Sequence, residues 1–234
     1  MKLFNNKKSI ITINIILTIL IFVGNYFYNV TDSLLVKTLT SAGFVLIGLI
    51  NILYLYYNKL DNSAFVIFML LGLFFAMLGD VVLELHFILG AALFAIGHIF
   101  YLIAYCTLSK INKLDIIISV SIAVLAALFI VLCPLLEFEP AVMMWVCLIY
   151  AIIISFMLGK AISNFIRNRS ILNTILFIGS LLFFVSDLML LLDLFMSVGK
   201  WAGALCLATY YPAECFLACS ILISSIFNHN SINS

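Results

Sequence analysis

The stretch that decides the fold is Gly72–Leu85, GLFFAMLGDVVLEL, in which Asp80 lies deep in an apolar run. A second stretch, Gly179–Leu192, GSLLFFVSDLMLLL, holds Asp187 in the same setting. In both, a small residue stands directly before the aspartate and a glycine begins the run eight residues earlier (72 to 80 and 179 to 187). A carboxylate in hydrocarbon costs roughly 2.5–3.5 kcal/mol on insertion scales, so such residues usually face a protein interior and have a function there. The two aspartates are therefore the first candidates for a functional site.

The composition predicts an integral membrane protein. Of the 234 residues, 66% are hydrophobic and only 9% are charged, and the mean hydropathy is +1.31. A soluble domain has about 45–50% apolar and about 25% charged residues. The net charge of +1 comes without a large basic cluster, so nothing indicates binding to nucleic acid. We expect the protein in a lipid bilayer, the cell membrane of a prokaryote.

A transmembrane helix needs about 20 apolar residues, and eight runs meet this requirement. The connections between the runs are short, so consecutive helices are expected to be antiparallel neighbours. Residues 1–234 are therefore predicted to form a single transmembrane domain, an all-α polytopic bundle, with no indication of its oligomeric state. The predicted spans are Ser9–Tyr28, Leu34–Tyr57, Ala64–Leu85, Phe87–Leu108, Leu114–Cys133, Ala141–Ile162, Ile171–Leu192 and Gly203–Phe227.

The basic residues predict the orientation of the bundle, because cytoplasmic segments are enriched in lysine and arginine. With the N-terminus inside, both termini are cytoplasmic, and the opposite side has Lys200 as its only basic loop residue. Lys37 then lies just inside the second helix, near its outer end. The cytoplasmic segments hold nine of the eleven basic residues, namely Lys2, Lys7, Lys8, Lys59, Lys110, Lys113, Lys160, Arg167 and Arg169.

The spacing of the two aspartate stretches favours an internal repeat. Asp80 and Asp187 are 107 residues apart (187 − 80), and the first and fifth helices start 105 apart (114 − 9). Two sets of four helices, residues 9–108 and 114–227, would form a parallel 4+4 repeat with a pseudo-twofold axis along the membrane normal. The aspartates would lie on either side of this axis, at nearly the same depth in the outer half of the bilayer.

Three interpretations fit the aspartates. They could be polar contacts between helices or a proton relay in a transporter, although Ser, Thr or Asn costs less to bury in a purely structural contact. Alternatively, two neighbouring carboxylates in a low dielectric favour one protonated and one ionised group, and this division of labour suits acid–base hydrolysis. Ser186, directly before Asp187, belongs to the same predicted site.

Five more polar residues are predicted to reach this layer. His98 is either a core residue or a group that orients a carboxylate or binds a polar head group. Tyr210 and Tyr211 precede Glu214 by four and three residues, so either hydroxyl is expected to bond its carboxylate. Lys37 either snorkels outward or serves as a counter-ion or phosphate contact.

Glu84 and a group of aromatic residues are predicted to lie nearer the membrane surface. Glu84 is one helical turn beyond Asp80 and is expected either at the mouth of a cavity or on a solvated rim. Tyr26, Phe27 and Tyr28 are predicted to form an interfacial aromatic belt instead of part of a site.

Neither a metal nor a cofactor is expected. The histidines His86 and His229 lack the spacing of a ligand pair with His98. The six cysteines lie in apolar runs without a CxxC pair, which favours small buried side chains over disulfides or a metal site. They are Cys106, Cys133, Cys147, Cys206, Cys215 and Cys219.

Four short motifs of the chain match one family of membrane proteins. They are Gly79-Asp80, Phe87 to Tyr101 (FILGAALFAIGHIFY), Ser186-Asp187 and Thr209-Tyr210-Tyr211 with Ala213. In these motifs the chain resembles the YhhN-like lysoplasmalogenase family of multi-helix membrane proteins, and the likeness extends from Lys37 to the eighth helix. Glu214 departs from the family pattern, which has glutamine there, and Thr38 stands in place of a proline. The first departure adds a titratable group to the predicted site.

The resemblance implies hydrolysis of the vinyl ether bond of a lysoplasmalogen, a single-chain lysophospholipid, to a fatty aldehyde and a glycerophospho head group. Asp80 and Asp187 would be the catalytic pair, with Lys37 or His98 at the phosphate. Two other classes also use buried carboxylates. One is a proton-coupled transporter with Asp80, Asp187 and Glu214 as the relay. The other is an intramembrane aspartyl protease, although the chain lacks that class's fuller glycine pattern and its proline-alanine-leucine segment.

Overall fold

The computed structural model describes residues 6–60, 64–196 and 198–232, with side chains as far as Ser224. Within these ranges the chain forms eight α-helices and no strand, which confirms the predicted all-α bundle. Each helix is long and apolar enough to cross a membrane. Lys2 and the side chain of His229 lie outside the described residues. The helices are α1 (Lys7–Thr31), α2 (Leu34–Tyr57), α3 (Ala64–Leu83), α4 (Phe87–Leu108), α5 (Lys113–Leu132), α6 (Val142–Arg167), α7 (Ile171–Phe195) and α8 (Trp201–Ile232).

Local polar groups fix where several helices begin. α5 starts with a capping box, in which Asn112 accepts hydrogen bonds from the Leu114 and Asp115 amides and Asp115 accepts one from the Asn112 amide. α4 starts after His86, whose Nδ1 accepts a hydrogen bond from the Leu89 amide at 3.4 Å. These bonds satisfy amides that have no partner inside the helix.

The two aspartate helices end at different distances from their carboxylates. α3 stops at Leu83, short of the predicted end, whereas α7 continues past the predicted end to Phe195. Asp80 therefore lies in the last turn of α3, and Asp187 lies about two turns before the end of α7.

The helix contacts in the first half of the chain approximately repeat those in the second half. Each consecutive pair within a half packs together, and α2 contacts α8 as α6 contacts α4. This is the pattern that the predicted 4+4 repeat requires, because α2 is then equivalent to α6 and α4 to α8. α8 also contacts α3, and α4 likewise meets α7 through the Tyr105–Ser180 hydrogen bond and the His98–Asp187 pair. The contact of α8 with α1 has no counterpart between the described residues of α4 and α5. The duplication itself stays a prediction.

α8 is the central helix of the bundle, whereas α1 and α5 are peripheral. In its spanning segment 61% of the residues are buried inside the protein, against 17% for α1 and 22% for α5. Among the described helices α5 packs against α6 alone. Small residues permit that close packing, since a side chain at Gly159 of α6 would collide with the backbone of Ser119 of α5.

Large apolar side chains cover the outside of the bundle. Leu35, Leu125 and Leu132 are each exposed by more than two thirds of their surface. A water-soluble monomer rarely exposes such continuous apolar area, so this surface faces lipid. An even number of such spanning helices places the start of α1 and the end of α8 on the same side of the membrane. That this side is the cytoplasm stays a prediction.

Candidate active site

A cavity of about 330 Å³ opens at one end of the bundle, where α1, α3 and α7 end and α2, α4 and α8 begin. Both Asp80 and Asp187 line it. Four carboxylates and one amine are part of its wall, so its charge is predominantly acidic. The polar lining consists of Tyr28, Lys37, Asp80, Glu84, Ser186, Asp187, Asp193, Cys206 and Tyr210.

Asp80 is held by α2 and α8. The Lys37 ammonium lies 3.1 Å from Asp80 Oδ1. The Ser41 hydroxyl donates to Oδ2, and the Tyr211 hydroxyl donates to the same oxygen at 3.4 Å. Lys37 and Ser41 are one turn apart on α2, so a single helix face supplies both partners. The ammonium favours the ionised form of this carboxyl group.

Glu84 completes this cluster on the side of the opening. It accepts hydrogen bonds from Lys37 at 2.5 Å and from the Tyr28 hydroxyl at 2.8 Å. The Lys37 ammonium also lies 5.1 Å from the centre of the Tyr28 ring, within cation–π distance. Partial burial raises the pKa of Glu84, but the bonds from Lys37 and Tyr28 outweigh it and bring the pKa below its ordinary value. Glu84 is therefore ionised at neutral pH.

Asp187 has a different set of neighbours, drawn from α4 and α6. The Tyr150 hydroxyl donates to Asp187 Oδ2 at 2.7 Å, and His98 Nε2 lies 3.4 Å from the same oxygen. His98 Nε2 is also 2.7 Å from the Tyr150 hydroxyl. If Tyr150 donates to Asp187, then Nε2 of His98 carries its proton and donates to Tyr150. The result is a hydrogen-bond chain that runs from His98 through Tyr150 to Asp187.

The two aspartates share the cavity but not their partners. No hydrogen bond or ion pair among the described residues joins Asp80 to Asp187. The Asp187 side chain is 12% exposed and that of Asp80 is 4% exposed, so Asp187 is the more accessible group. Ser186, directly before Asp187, is buried and lies 3.4 Å from the Cys206 sulfur.

Glu214 lies behind the cavity, outside its lining. It is fully buried and accepts a hydrogen bond from the Tyr101 hydroxyl at 2.7 Å, while its other oxygen has no hydrogen-bond partner. The predicted bond from Tyr210 or Tyr211 is wrong. Tyr210 donates to the Ala76 carbonyl at 3.3 Å, and Tyr211 donates to Asp80. These hydroxyls reach α3 because both rings point across the helix interface instead of along α8.

The sequence model of the YhhN family matches residues 33–221 of this chain. This chain belongs to the YhhN family. A search of curated proteins and a search of solved structures found no match. The predicted membership is thus confirmed, and the match to the YhhN family covers both aspartates and every predicted site residue from Lys37 to Glu214.

Three predictions about the rim of this YhhN-family site need correction or completion. Lys37 does not snorkel outward, because it is 4% exposed and pairs with two carboxylates. Glu84 is not simply solvated, since Lys37 and Tyr28 bind it. Tyr28 is not part of an exposed aromatic belt, although Tyr26 and Phe27 are exposed. Tyr28 follows the buried Ile21 by seven residues and lies on the same inner face of α1, whereas Val30 near the end of this helix is exposed.

Two contributing residues were missed at the sequence level. Ser41 follows Lys37 by one turn, and that spacing was the available signal. Tyr150 lies in the middle of an apolar run, and its hydroxyl was the available signal there. A buried tyrosine hydroxyl usually has a hydrogen-bond partner, but sequence alone does not say that the partner is on α7.

Proposed function

We propose that this chain is a membrane-embedded lysolipid hydrolase, specifically a lysoplasmalogenase that cleaves the vinyl ether bond of a lysoplasmalogen. The products are a fatty aldehyde and a glycerophospho head group. Membership of the YhhN family and the eight membrane-spanning helices support the proposal. The main supporting observation is that Asp80 and Asp187 line the same cavity but have different partners. Asp80 pairs with the Lys37 ammonium, and Asp187 accepts a hydrogen bond from the Tyr150 hydroxyl.

Protonation of the alkene is the first step, and we assign it to Asp187. In its protonated form the carboxyl group transfers a proton to the alkene carbon that is not bonded to oxygen. The π electrons form the new C–H bond, and the positive charge is shared by the other carbon and the ether oxygen. Asp187 suits this role because its described partners, Tyr150 and His98, need not be charged. The Tyr150 hydrogen bond orients the carboxyl group.

Capture of water is the second step, and we assign it to Asp80. The fixed negative charge of Asp80 stabilises the nearby cation. A water molecule attacks the positively charged carbon and gives one proton to the carboxylate, which yields a hemiacetal. The hemiacetal hydroxyl then loses its proton as its C–O bond to glycerol breaks, which releases the aldehyde, and the departing glycerol oxygen gains one proton. The proton held by Asp80 returns to Asp187 through water, so both groups regain their starting forms. Lys37 is occupied by Asp80 and Glu84, so its role here is to hold Asp80 and not to bind phosphate.

Purified protein in detergent, incubated with a panel of vinyl ether and ester lysolipids, tests the proposal. Fatty aldehyde and fatty acid are measured separately. We expect aldehyde from the vinyl ether lipids, with one deuterium on the carbon next to the carbonyl when the solvent is D₂O. Fatty acid without aldehyde, or no product at all, would overturn the proposal.

A proton-coupled transporter is the second candidate. It is favoured by the buried carboxyl group of Glu214, of which only one oxygen has a hydrogen-bond partner. The same assay separates the two, because transport needs a sealed compartment whereas hydrolysis in detergent does not. An aspartyl protease has less support. Its two carboxylates share one proton, but Asp80 pairs with Lys37 instead.

A further inference from the structure

A second cavity, of about 290 Å³, lies beside the first and is apolar. It is bounded mainly by α4, α5, α6 and α7, and it extends along α5 from Ile122 to Ile130, about 12 Å of helix (eight residues at about 1.5 Å). Apart from the thiol of Cys147, its polar lining residues are Tyr150 and Asp187, which bond each other. Polar groups are thus confined to one part of this cavity.

The two cavities share a wall. Asp187 contributes to both, so the carboxyl group assigned as the proton donor lies where the polar and apolar cavities adjoin. A ligand that occupies both cavities would pass this carboxyl group with its polar part on one side and its apolar part on the other. The shared lining residues are Leu83, Phe87, Phe94, Asp187, Leu190 and Leu194.

The apolar cavity is also accessible from the bilayer side. Leu125 and Phe129 of α5 line it, and 68% and 38% of their surfaces are exposed. Among the described helices α5 packs against α6 alone, so no other described helix packs over its outward side. A hydrocarbon chain can therefore enter sideways along α5 without crossing the polar cavity.

We propose that the apolar cavity binds the single hydrocarbon chain of the substrate and limits its length. The vinyl ether bond then lies beside Asp187 and within reach of Asp80, and the head group occupies the remainder of the polar cavity. This inference rests on the proposed function, since it takes the cleaved bond to be the junction between chain and head group.

Ala126 offers a matched pair of variants. It lines the apolar cavity, whereas the next residue on α5, Ala127, is also partly buried but does not line it. Ala126→Phe fills part of the cavity. We expect the ratio of long-chain to short-chain turnover to fall by about tenfold or more, because one methylene in an apolar pocket already discriminates by about 10- to 200-fold. Ala127→Phe should keep the wild-type ratio. An unchanged ratio in Ala126→Phe would overturn the inference.

A second measurement needs neither a variant nor turnover. The probe is a saturated ether lysophosphocholine, which has no vinyl ether to cleave, with a photoreactive diazirine on its chain. We expect crosslinks at the cavity-facing side of α5 and α6. Crosslinks spread over outward-facing positions of all helices would overturn the chain site. Crosslinks in the cavity of a protein that releases no aldehyde would leave the chain site in place and remove only the proposed reaction.

Discussion

The described part of the chain holds two buried charge clusters, one at each end of the bundle, and they differ in what surrounds them. The Lys37–Asp80 pair, with Glu84, faces the polar cavity. At the other end Lys160 lies 2.7 Å from Asp115 Oδ2, and Arg167 lies 3.1 Å from its Oδ1. Neither cavity is lined by residues of this second cluster.

The charged groups of the second cluster bond to one another and to neighbouring backbone and side-chain groups. Asp115 also accepts a hydrogen bond from the Asn112 amide, and Lys160 also donates to Ser109 and to the Lys110 carbonyl. These bonds join the end of α4 to the start of α5 and to α6. A buried ion pair therefore does not by itself identify an active site. The distinguishing feature is an adjoining cavity with a second carboxylate in its wall.

The largest effect is expected from Asp187→Asn, which changes the second carboxylate in the wall of the cavity beside the first cluster. Amide cannot donate the required proton, and general acid catalysis contributes about 10²–10⁴-fold. Aldehyde release should fall by that factor while the thermal unfolding of the purified protein stays near the wild type. The control is Asp193→Asn on the same helix, which lines the same cavity and can still accept from the Gly203 amide. Equal losses in both variants would contradict the assignment.

Lys160→Met should produce the opposite result. Removal of the Lys160 ammonium leaves the buried Asp115 carboxylate with Arg167 as its remaining cationic partner among the described residues. Breaking a buried ion pair lowers the free energy of unfolding by about 3–5 kcal/mol. The measurement is thermal or denaturant unfolding in detergent, with turnover per folded molecule unchanged. The double variant Asp115→Asn with Lys160→Met should recover part of the stability. A loss of turnover without a loss of stability would show that this cluster is more than structural.

A smaller effect is expected from Tyr150→Phe. The change removes the hydrogen bond that orients the protonated Asp187, and a hydrogen bond between neutral groups contributes about 0.5–1.5 kcal/mol, so kcat/KM should fall by about 2- to 10-fold. Tyr105→Phe is the control, since the Tyr105 hydroxyl is also buried and bonded, to Ser180 at 2.9 Å, but lies outside both cavities. We expect lower stability but normal turnover for Tyr105→Phe.

The smallest effect concerns Glu84 and acid pH. The folded pKa of Glu84 lies below its ordinary value of 4.5, so its contribution is present above that value and is lost as pH falls through the folded pKa. Because the side chain is 37% exposed, the contribution is about 1 kcal/mol or less. The melting temperature of Glu84→Gln should therefore fall less than that of the wild type below about pH 4.5. Parallel curves for the two proteins would show that the Glu84–Lys37 bond adds nothing to stability.

The spans and the two aspartates were predictable because each depends on a property of its own stretch. The predicted bounds Leu34–Tyr57 and Phe87–Leu108 coincide with α2 and α4, since charged or turn-forming residues flank both runs. Asp80 and Asp187 stood out because few other charges lie within the apolar runs. Eight antiparallel helices then bring the ends of α3 and α7 to the same side.

The partners of these residues were not predictable, because they come from distant parts of the chain. Lys160 is buried only because Asp115, 45 residues earlier, lies opposite it. Tyr150 and Asp187 are 37 residues apart, and no local pattern says which face of α6 meets α7. Ser41 had its one-turn spacing from Lys37 as a signal, but hydroxyls are common in apolar helices, so this spacing alone did not single it out.

A double-mutant cycle on Asp80→Asn and Asp187→Asn tests most directly whether the two carboxylates serve one reaction. The measurement is kcat/KM for aldehyde release from a lysoplasmalogen by purified wild type, both single variants and the double variant. Residues that act as a unit are strongly non-additive, so the double variant should lose no more than the slower single variant. Losses that multiply, or near-wild-type release by either single variant, would contradict the account.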